Sequence, residues 1–377
     1  MNHQRGATDR VTTRTTRLRR VRGTGASLPW ALVIAIAIAR VQAADVNDTI
    51  TAVPGIRVGH YTLTERPTGC TVILVDGGAV AGVAQRGAAP GTRETDLLEP
   101  SNADRRVNGI VLSGGSAFGL DSANGTMRWL EERGVGLRMR GDRRVPIVPI
   151  VPTAVLIDLW VGGKPTVRPG AECGYRAAAR AARSAVAQGS IGAGAGATVG
   201  KLLGHDRAMK GGIGSAGVVL GNGLRVAAIV AVNALGDVID PESGAVVAGA
   251  RAADGSFADA RRLLRTGAPT ILSPPSADDA AGNTTIAVVA TNARLTNAEA
   301  TRVAQIADGG YARAIAPIHT IADGDTVFAL ATGRWRGDAD VTTIGALAAD
   351  AVATAIVRAV KHATSAGGVP AARDRRH

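Results

Sequence analysis

The chain has 377 residues, 46% of them hydrophobic and only 3% aromatic, with a formal net charge of +12 at pH 7. That length and apolar content allow one large α/β unit with a substantial core. The charge sits at the ends, with eight arginines against Asp9 in residues 1–40 and Arg373, Arg375 and Arg376 against Asp374 in the tail; a near-neutral body with few rings to stack on bases argues against a nucleic-acid partner.

The first forty-odd residues have the layout of a targeting segment: a basic stretch through Arg22, an apolar run from Leu28 to Ala39, then Val41-Gln42-Ala43 before Ala44. The run is short for a bilayer span, and small residues at Val41 and Ala43 suit signal peptidase. Residues 1–43 are therefore expected to be a signal peptide or N-terminal anchor, and the protein periplasmic or secreted. A cytoplasmic location is the alternative if the leader is a misassigned start. Arg19-Arg20 permits a twin-arginine route. Cys70 and Cys173 are the only cysteines and lack CxxC partners. No structural zinc site follows, and each is expected as a small buried hydrophobe, with a single bridge conceivable in an exported protein.

Residues 56–62 and 71–75 read as strands, followed by a small-residue segment over 79–87. Residues 107–112 form another apolar strand, which Gly114-Gly115 turns into a helix running through Met127, Trp129 and Leu130 to Gly134, an α/β unit. Residues 145–159 are extended and punctuated by prolines, 173–187 an alanine- and arginine-rich surface helix, and 190–204 a glycine-rich loop. Residues 218–232, interrupted by Gly221-Asn222-Gly223, predict a β-hairpin with a tight two-residue turn. The stretch 240–281 reads as a linker or exposed loop with a short helix near 258–265. Thr296 and Glu299 form a capping box opening a helix with Val303 and Ile306 inward. Residues 326–332 are a strand, and a closing helix carries apolar residues at i, i+3, i+4 spacing from Ile344 to Val360, ending before Gly367-Gly368.

Three motifs are decoys. Gly212-Ile213-Gly214-Ser215-Ala216-Gly217 matches G-x-G-x-x-G, with Asp237 some way beyond, but a hairpin follows where a dinucleotide fold needs a helix; the glycines are better read as permitting close backbone packing. Gly114-Gly115-Ser116-Ala117-Phe118-Gly119 misses G-x-S-x-G by one position, so Ser116 is expected to cap a helix or line a pocket. The histidines show no metal-ligand spacing, and His319 is read as a polar contact near the sheet.

Residues 282–292 carry the chemistry. A Gly-Asn pair ends a loop, and Thr284 opens a β-branched run that reads as a buried strand. Thr284 either only starts that strand, as β-branched residues do, or its hydroxyl attacks the Asn283 carbonyl, passes through an ester and leaves Thr284 as a new N-terminus. Its α-amine, with a reference pKa of about 7.7–8.0, would then be the base that activates the hydroxyl.

Four ordered blocks, residues 114–121 (Gly-Gly-Ser-Ala-Phe-Gly-Leu-Asp), 210–216 (Lys-Gly-Gly-Ile-Gly-Ser-Ala), 283–286 (Asn-Thr-Thr-Ile) and 323–326 (Asp-Gly-Asp-Thr), together resemble the L-aminopeptidase/D-esterase (β-aminopeptidase) family of self-cleaving N-terminal-nucleophile hydrolases. The likeness runs from about Ile50 to Gly333. It implies an α/β fold, a four-layer αββα sandwich, cut into an α-chain (44–283) and a β-chain (284–377) that stay associated as one combined domain, and a homo-oligomer, often a tetramer. The Asn-Thr pair looks like the branch that includes a pantetheine hydrolase, with Asn283 ending the α-chain and Thr284 starting the β-chain as nucleophile. Asn233 lies where the family keeps an oxyanion-binding asparagine, one such donor being worth roughly 3 kcal/mol. Asp323 and Asp325 fall on the family's serine-x-glutamate position, where they would hold and polarise the Thr284 amine; a turn-forming Asp-Gly-Asp explains them as well. The serine branch has a tyrosine assisting from the region of residues 152–156. None is present here, which leaves the second oxyanion contact open. Thr285 competes as nucleophile, but side chains alternate along a strand, so only one of the two faces the site, and the family match favours Thr284.

The resemblance implies an aminopeptidase or amidohydrolase acting on small peptides, amino-acid amides or esters, or a pantetheine-like amide, with no metal or organic cofactor, and no membrane partner once the leader is removed. Two rivals stand beside it: an ornithine acetyltransferase type, which also self-cleaves before threonine but passes its acyl group to an amine, and a secreted binding scaffold without turnover.

Overall fold

The computed structural model describes residues 47–103, 106–138, 145–267, 270, 282–338 and 340–374. The proposed leader and most of the segment just before Gly282 lie outside them. The strands in chain order are β1 (Ile56–Thr62), β2 (Gly69–Gln85), β3 (Thr92–Arg93), β4 (Val107–Ser113), β5 (Thr153–Val155), β6 (Thr198–Val199), β7 (Met209–Lys210), β8 (Gly212–Val219), β9 (Arg225–Asn233), β10 (Asp237–Ile239), β11 (Val246–Ala248), β12 (Thr284–Thr291), β13 (Ile315–Ala316) and β14 (Thr326–Ala331). The α-helices are α1 (Ser122–Glu131), α2 (Ala171–Ala179), α3 (Ala260–Thr266), α4 (Asn297–Ala307), α5 (Gly309–Ala314) and α6 (Val341–His362).

β2 organises the molecule. Its first part pairs antiparallel with β1 and β4, and its second part, from Val80 to Gln85, pairs antiparallel with β14. Between them the register shifts, and Gly77 and Gly78 adopt φ of +79° and +72°, a conformation open to glycine at no steric cost, which lets one strand pass from the first sheet to the second. The sequence stopped this strand at residue 75 because its continuation is made of small residues with no β-branched run. Small residues are needed there: a Cβ on Gly82 would lie 2.2 Å from the Thr301 backbone nitrogen in α4.

The two sheets, β1-β2-β4-β5-β3 and β2-β14-β12-β9-β8, stack face to face. Alternation along β12 shows the layers. Ile286, Val288 and Ala290 join Ile73, Ile110, Leu112 and Phe328 in the core between the sheets, whereas Ala287 and Val289 point the other way, toward α4, α5 and α6. On the outer face of the first sheet Val72, Leu74 and Val111 pack against α1 and α2. The order helix, sheet, sheet, helix is the expected four-layer αββα sandwich.

Local chemistry sets the helices. Thr296 and Glu299 close the expected capping box on α4, and the Asp340 carboxylate caps α6 by accepting from the Thr342 and Thr343 N–H groups. α6 lies directly on β8 because Gly212 and Gly214 have no side chain: a Cβ at Gly214 would come within 2.0 Å of the Ala355 carbonyl oxygen, and one at Gly212 within 2.5 Å of that of Ala359. The dinucleotide-like motif is thus a helix-packing device. Asp237 accepts from the N–H groups of Ala250 and Ala260, fixing the chain beyond β10.

Several expectations are corrected. The β8–β9 hairpin turns through three residues, Gly221 to Gly223, with Gly223 at φ +86°, because Leu220 N–H still bonds to Leu224 O. α2 ends at Ala179, and Ala182 instead bridges to Val58 of β1. The presumed linker contains β11, paired with β10, beside the expected short helix, α3. Ser116 makes no cap; it sits at φ +57° after Gly115. Cys70 and Cys173 are joined in a disulfide that ties β2 to α2.

Candidate active site

Thr284 begins β12 at the point where that strand lies between β9 and β14. Its neighbour across the antiparallel pair is Asn233, the last residue of β9. Asn283, one residue earlier, bridges in parallel to Asp323, just ahead of β14. The sheet therefore gathers the four residues singled out in the sequence, Thr284, Asn233, Asp323 and Asp325, together with Asn283, from positions up to 92 residues apart. All are nearly or fully inaccessible, Thr284 being 5% exposed and Asn233, Asp323 and Asp325 0%.

Strand parity separates the two threonines. Thr284 shares its face with Ile286, whereas Thr285 shares the helix-side face with Ala287. The Thr284 hydroxyl is hydrogen-bonded to the Asn283 carbonyl oxygen, the carbonyl it would have to attack. That same oxygen accepts the Gly324 N–H at 3.0 Å, while Asn283 N–H donates to Ala322 O at 3.2 Å. Asn283 is thus held at its N–H and its carbonyl by the Ala322–Gly324 backbone, with a donor pointing at the carbonyl oxygen. Gly324 allows this closeness: a Cβ there would stand 2.9 Å from Thr284 Oγ1 and 2.5 Å from Ala89 O.

Asn233 is fixed through both ends of its amide. Its Nδ2 donates to Ile157 O at 3.0 Å, and its Oδ1 accepts from Thr198 N–H at 3.0 Å and from Lys201 Nζ at 3.1 Å. Nδ2 keeps a second hydrogen for an oxyanion. Just after the segment in which a tyrosine was sought, the Ile157 carbonyl reaches the site.

Lys201 was not foreseen; it lay inside what reads as a glycine-rich loop. It is fully buried, and Nζ also donates to Asn233 O at 2.9 Å. Burial pulls its pKa from 10.5 down to about 7, against the opposing attraction of Asp323 and Asp325. A lone lysine in a run of glycine and alanine was the only signal in the sequence.

The aspartates differ in surroundings. Asp325 Oδ1 accepts from Thr285 N–H at 2.7 Å, and Oδ2 faces the His319 ring at 3.0 Å. Asp323 Oδ2 accepts from Thr320 N–H and Oγ1 at 2.9 and 2.6 Å, while its Oδ1 has no hydrogen-bond partner among the described residues. Burial, and next the charge of Asp325, push the Asp323 carboxyl above the ordinary value. His319 is indeed a polar contact beside the sheet, as the sequence suggested. The arrangement offers a hydroxyl against a polarised carbonyl, fixed amide donors, and a paired acid–base set, the requirements of acyl transfer to a threonine oxygen.

Comparison with known proteins shows the family and the fold. The model of "Peptidase family S58" matches residues 48–373. An uncharacterized aminopeptidase of Mycobacterium tuberculosis (strain ATCC 25618 / H37Rv) is 42% identical over 352 residues, covering 87% of this chain and 97% of that protein. A 6-aminohexanoate-oligomer endohydrolase of Paenarthrobacter ureafaciens is 31% identical over 319 residues, 82% of this chain and 84% of that one. In three dimensions the fold is similar to the L-aminopeptidase D-Ala-esterase/amidase of Ochrobactrum anthropi, described as a variant of the Ntn-hydrolase fold, with TM-score 0.62 at 22% identity, covering 86% of this chain and 88% of that one. It is also similar to a Burkholderia sp. β-aminopeptidase, with TM-score 0.61 at 24% identity, covering 86% and 90%.

Proposed function

The chain belongs to peptidase family S58 and is a hydrolase of aminopeptidase/amidase type, and from that premise we propose that it cuts itself between Asn283 and Thr284 and then hydrolyses small amides with Thr284 as the N-terminal nucleophile. The observation that carries this reading is the contact of the Thr284 hydroxyl with a carbonyl whose oxygen is already bonded to Gly324 N–H.

In the first stage Thr284 Oγ1 adds to the Asn283 carbonyl carbon, with the developing charge on oxygen taken by Gly324 N–H. The Thr284 nitrogen leaves and gains a proton, giving an ester that water hydrolyses. The products are an α-chain ending in the Asn283 carboxylate and a β-chain starting at Thr284, residues 44–283 and 284–377 if the leader is removed. In the second stage the free α-amine takes the hydroxyl proton as Oγ1 attacks the substrate carbonyl. Asn233 Nδ2 donates to the oxyanion, the amine of the substrate departs with the proton, and water releases the acyl group. Asp325 and Asp323 hold and tune the amine, and Lys201 sets the charge beneath Asn233.

Substrates are small peptides, amino-acid amides or esters, in keeping with relatives named as aminopeptidase and as 6-aminohexanoate-oligomer endohydrolase. The protein works as an exported homo-oligomer, a tetramer by family analogy. The basic and apolar leader and the Cys70–Cys173 disulfide both favour an oxidising compartment. The test is a hydrolysis screen of α-, β- and D-aminoacyl amides together with 6-aminohexanoate oligomers, run with parent protein and Thr284→Ala. The variant is expected to stay one chain and turn over nothing; full turnover by it would remove Thr284 from the mechanism.

A further inference from the structure

Behind Asp325 lies a chain of charged groups. His319 Nδ1 is 3.0 Å from Asp325 Oδ2, and its Nε2 is 3.1 Å from Asp308 Oδ2 at the junction of α4 and α5. A neutral imidazole can donate from only one nitrogen, so one of two carboxylates would face a lone pair. Carboxylates on both nitrogens therefore call for the doubly protonated ring. Other groups of the cluster are Tyr311 from α5, its ring centroid 6.1 Å from that of His319, and Asp323, two residues from Asp325; Lys201 acts on both aspartates from the loop after β6. His319 adopts φ +56°, a conformation rare outside glycine, and its own backbone N–H donates to Asp325 Oδ2 at 3.2 Å.

We propose that His319, held as an imidazolium between Asp308 and Asp325, is a positioning residue that keeps the Asp325 carboxylate aimed at the start of β12. The inference rests on the Thr284 reading for its catalytic meaning, though not for its protonation claim. Two buried aspartates this close repel, and one of them takes a proton more readily. The imidazolium stands against Asp325, while burial and the neighbouring Asp325 push the Asp323 carboxyl upward. Burial alone would lower the pKa of His319, but the two carboxylates outweigh it and lift the value from 6.5 to about 9. A raised pKa of this kind stabilises the fold fully below pH 6.5 and ceases to do so as pH rises through about 9.

The direct test is 15N NMR of the histidine rings of the intact protein at about pH 7.5, with His319→Gln used to assign the signal. Both nitrogens of His319 are expected to be protonated, with loss near pH 9; a neutral single tautomer at about pH 7.5 would overturn the proposal. Asp308→Asn, which removes one anion, should move that titration to lower pH by about one unit. In His319→Gln the acidic limb of kcat/KM should move up by a similar amount, and its deficit in melting temperature should close as pH passes through 9. A folded His319→Gln protein with an unmoved limb would also contradict the proposal. If His319→Gln does not fold, the parent spectrum and the Asp308→Asn titration decide. An imidazolium found alongside an active Thr284→Ala protein would uphold this clamp while sinking the nucleophile.

Discussion

At the scale of single residues the site turns on a one-position difference. Thr284 and Thr285 carry the same hydroxyl, yet strand alternation sends Thr284 to the Asn283 carbonyl and Thr285 to the helix side, where its Oγ1 is buried with no hydrogen-bond partner among the described residues. Thr285→Val replaces that unused hydroxyl with a methyl of similar size. Self-cutting and kcat/KM are expected to stay within about twofold of the parent, and stability to hold or rise, since a buried polar atom without a partner is removed. A loss of processing in Thr285→Val, measured on denaturing gels, would give the chemistry to the wrong threonine. Thr284, Asn283 and the Asp323–Asp325 pair were legible because a chain-ordered set of short blocks carries them, and Asn233 because the family resemblance points to its position. Lys201, His319 and Gly324 were not legible as site members. Lys201 reaches Asn233 only through folding of a glycine-rich loop, His319 reads as an isolated histidine until Asp308 and Asp325 flank it, and Gly324 acts through a main-chain N–H that leaves no side-chain signature.

At the scale of elements, β-branched composition made β1, β4, β9, β12 and β14 readable, and capping chemistry made α4 readable. Where close packing demands small residues the pattern fades, as in the second half of β2 and in β8. Gly214 tests this account of β8. A methyl there would sit 2.0 Å from the Ala355 carbonyl oxygen, so α6 or the strand must shift. Gly214→Ala is expected to cost about 1–3 kcal/mol in urea unfolding, as overpacking does. An unchanged midpoint with unchanged slope would mean that α6 does not bear on the glycine pair. The turn of the β8–β9 hairpin shows the limit of local rules: Asn-Gly suggested two residues, but continued pairing of Leu220 with Leu224 leaves three.

At the scale of the whole molecule, the four-layer sandwich was legible only through the family resemblance, since no local pattern tells how two sheets stack. The topology explains how a severed chain would survive. β12 and β14 lie side by side, but β12 also pairs along its whole length with β9, and β14 with β2, both from the part before Asn283. Separating the pieces would therefore expose the cores on both faces of the second sheet. The disulfide adds a constraint in the helix layer farthest from the cut, closing a loop of 103 residues between β2 and α2. Replacing both cysteines by alanine is expected to cost about 2–5 kcal/mol, read as a lower urea midpoint. A double variant as stable as the parent would show the bridge to be dispensable, and with it one argument for an oxidising compartment.

The central claim is tested most directly by intact-mass analysis of purified, active protein under denaturing conditions, beside its elution under native ones. Two polypeptides are predicted, one ending at Asn283 and the other beginning at Thr284, eluting together until denaturant is added. A single uncut chain that still hydrolyses amides would contradict the account.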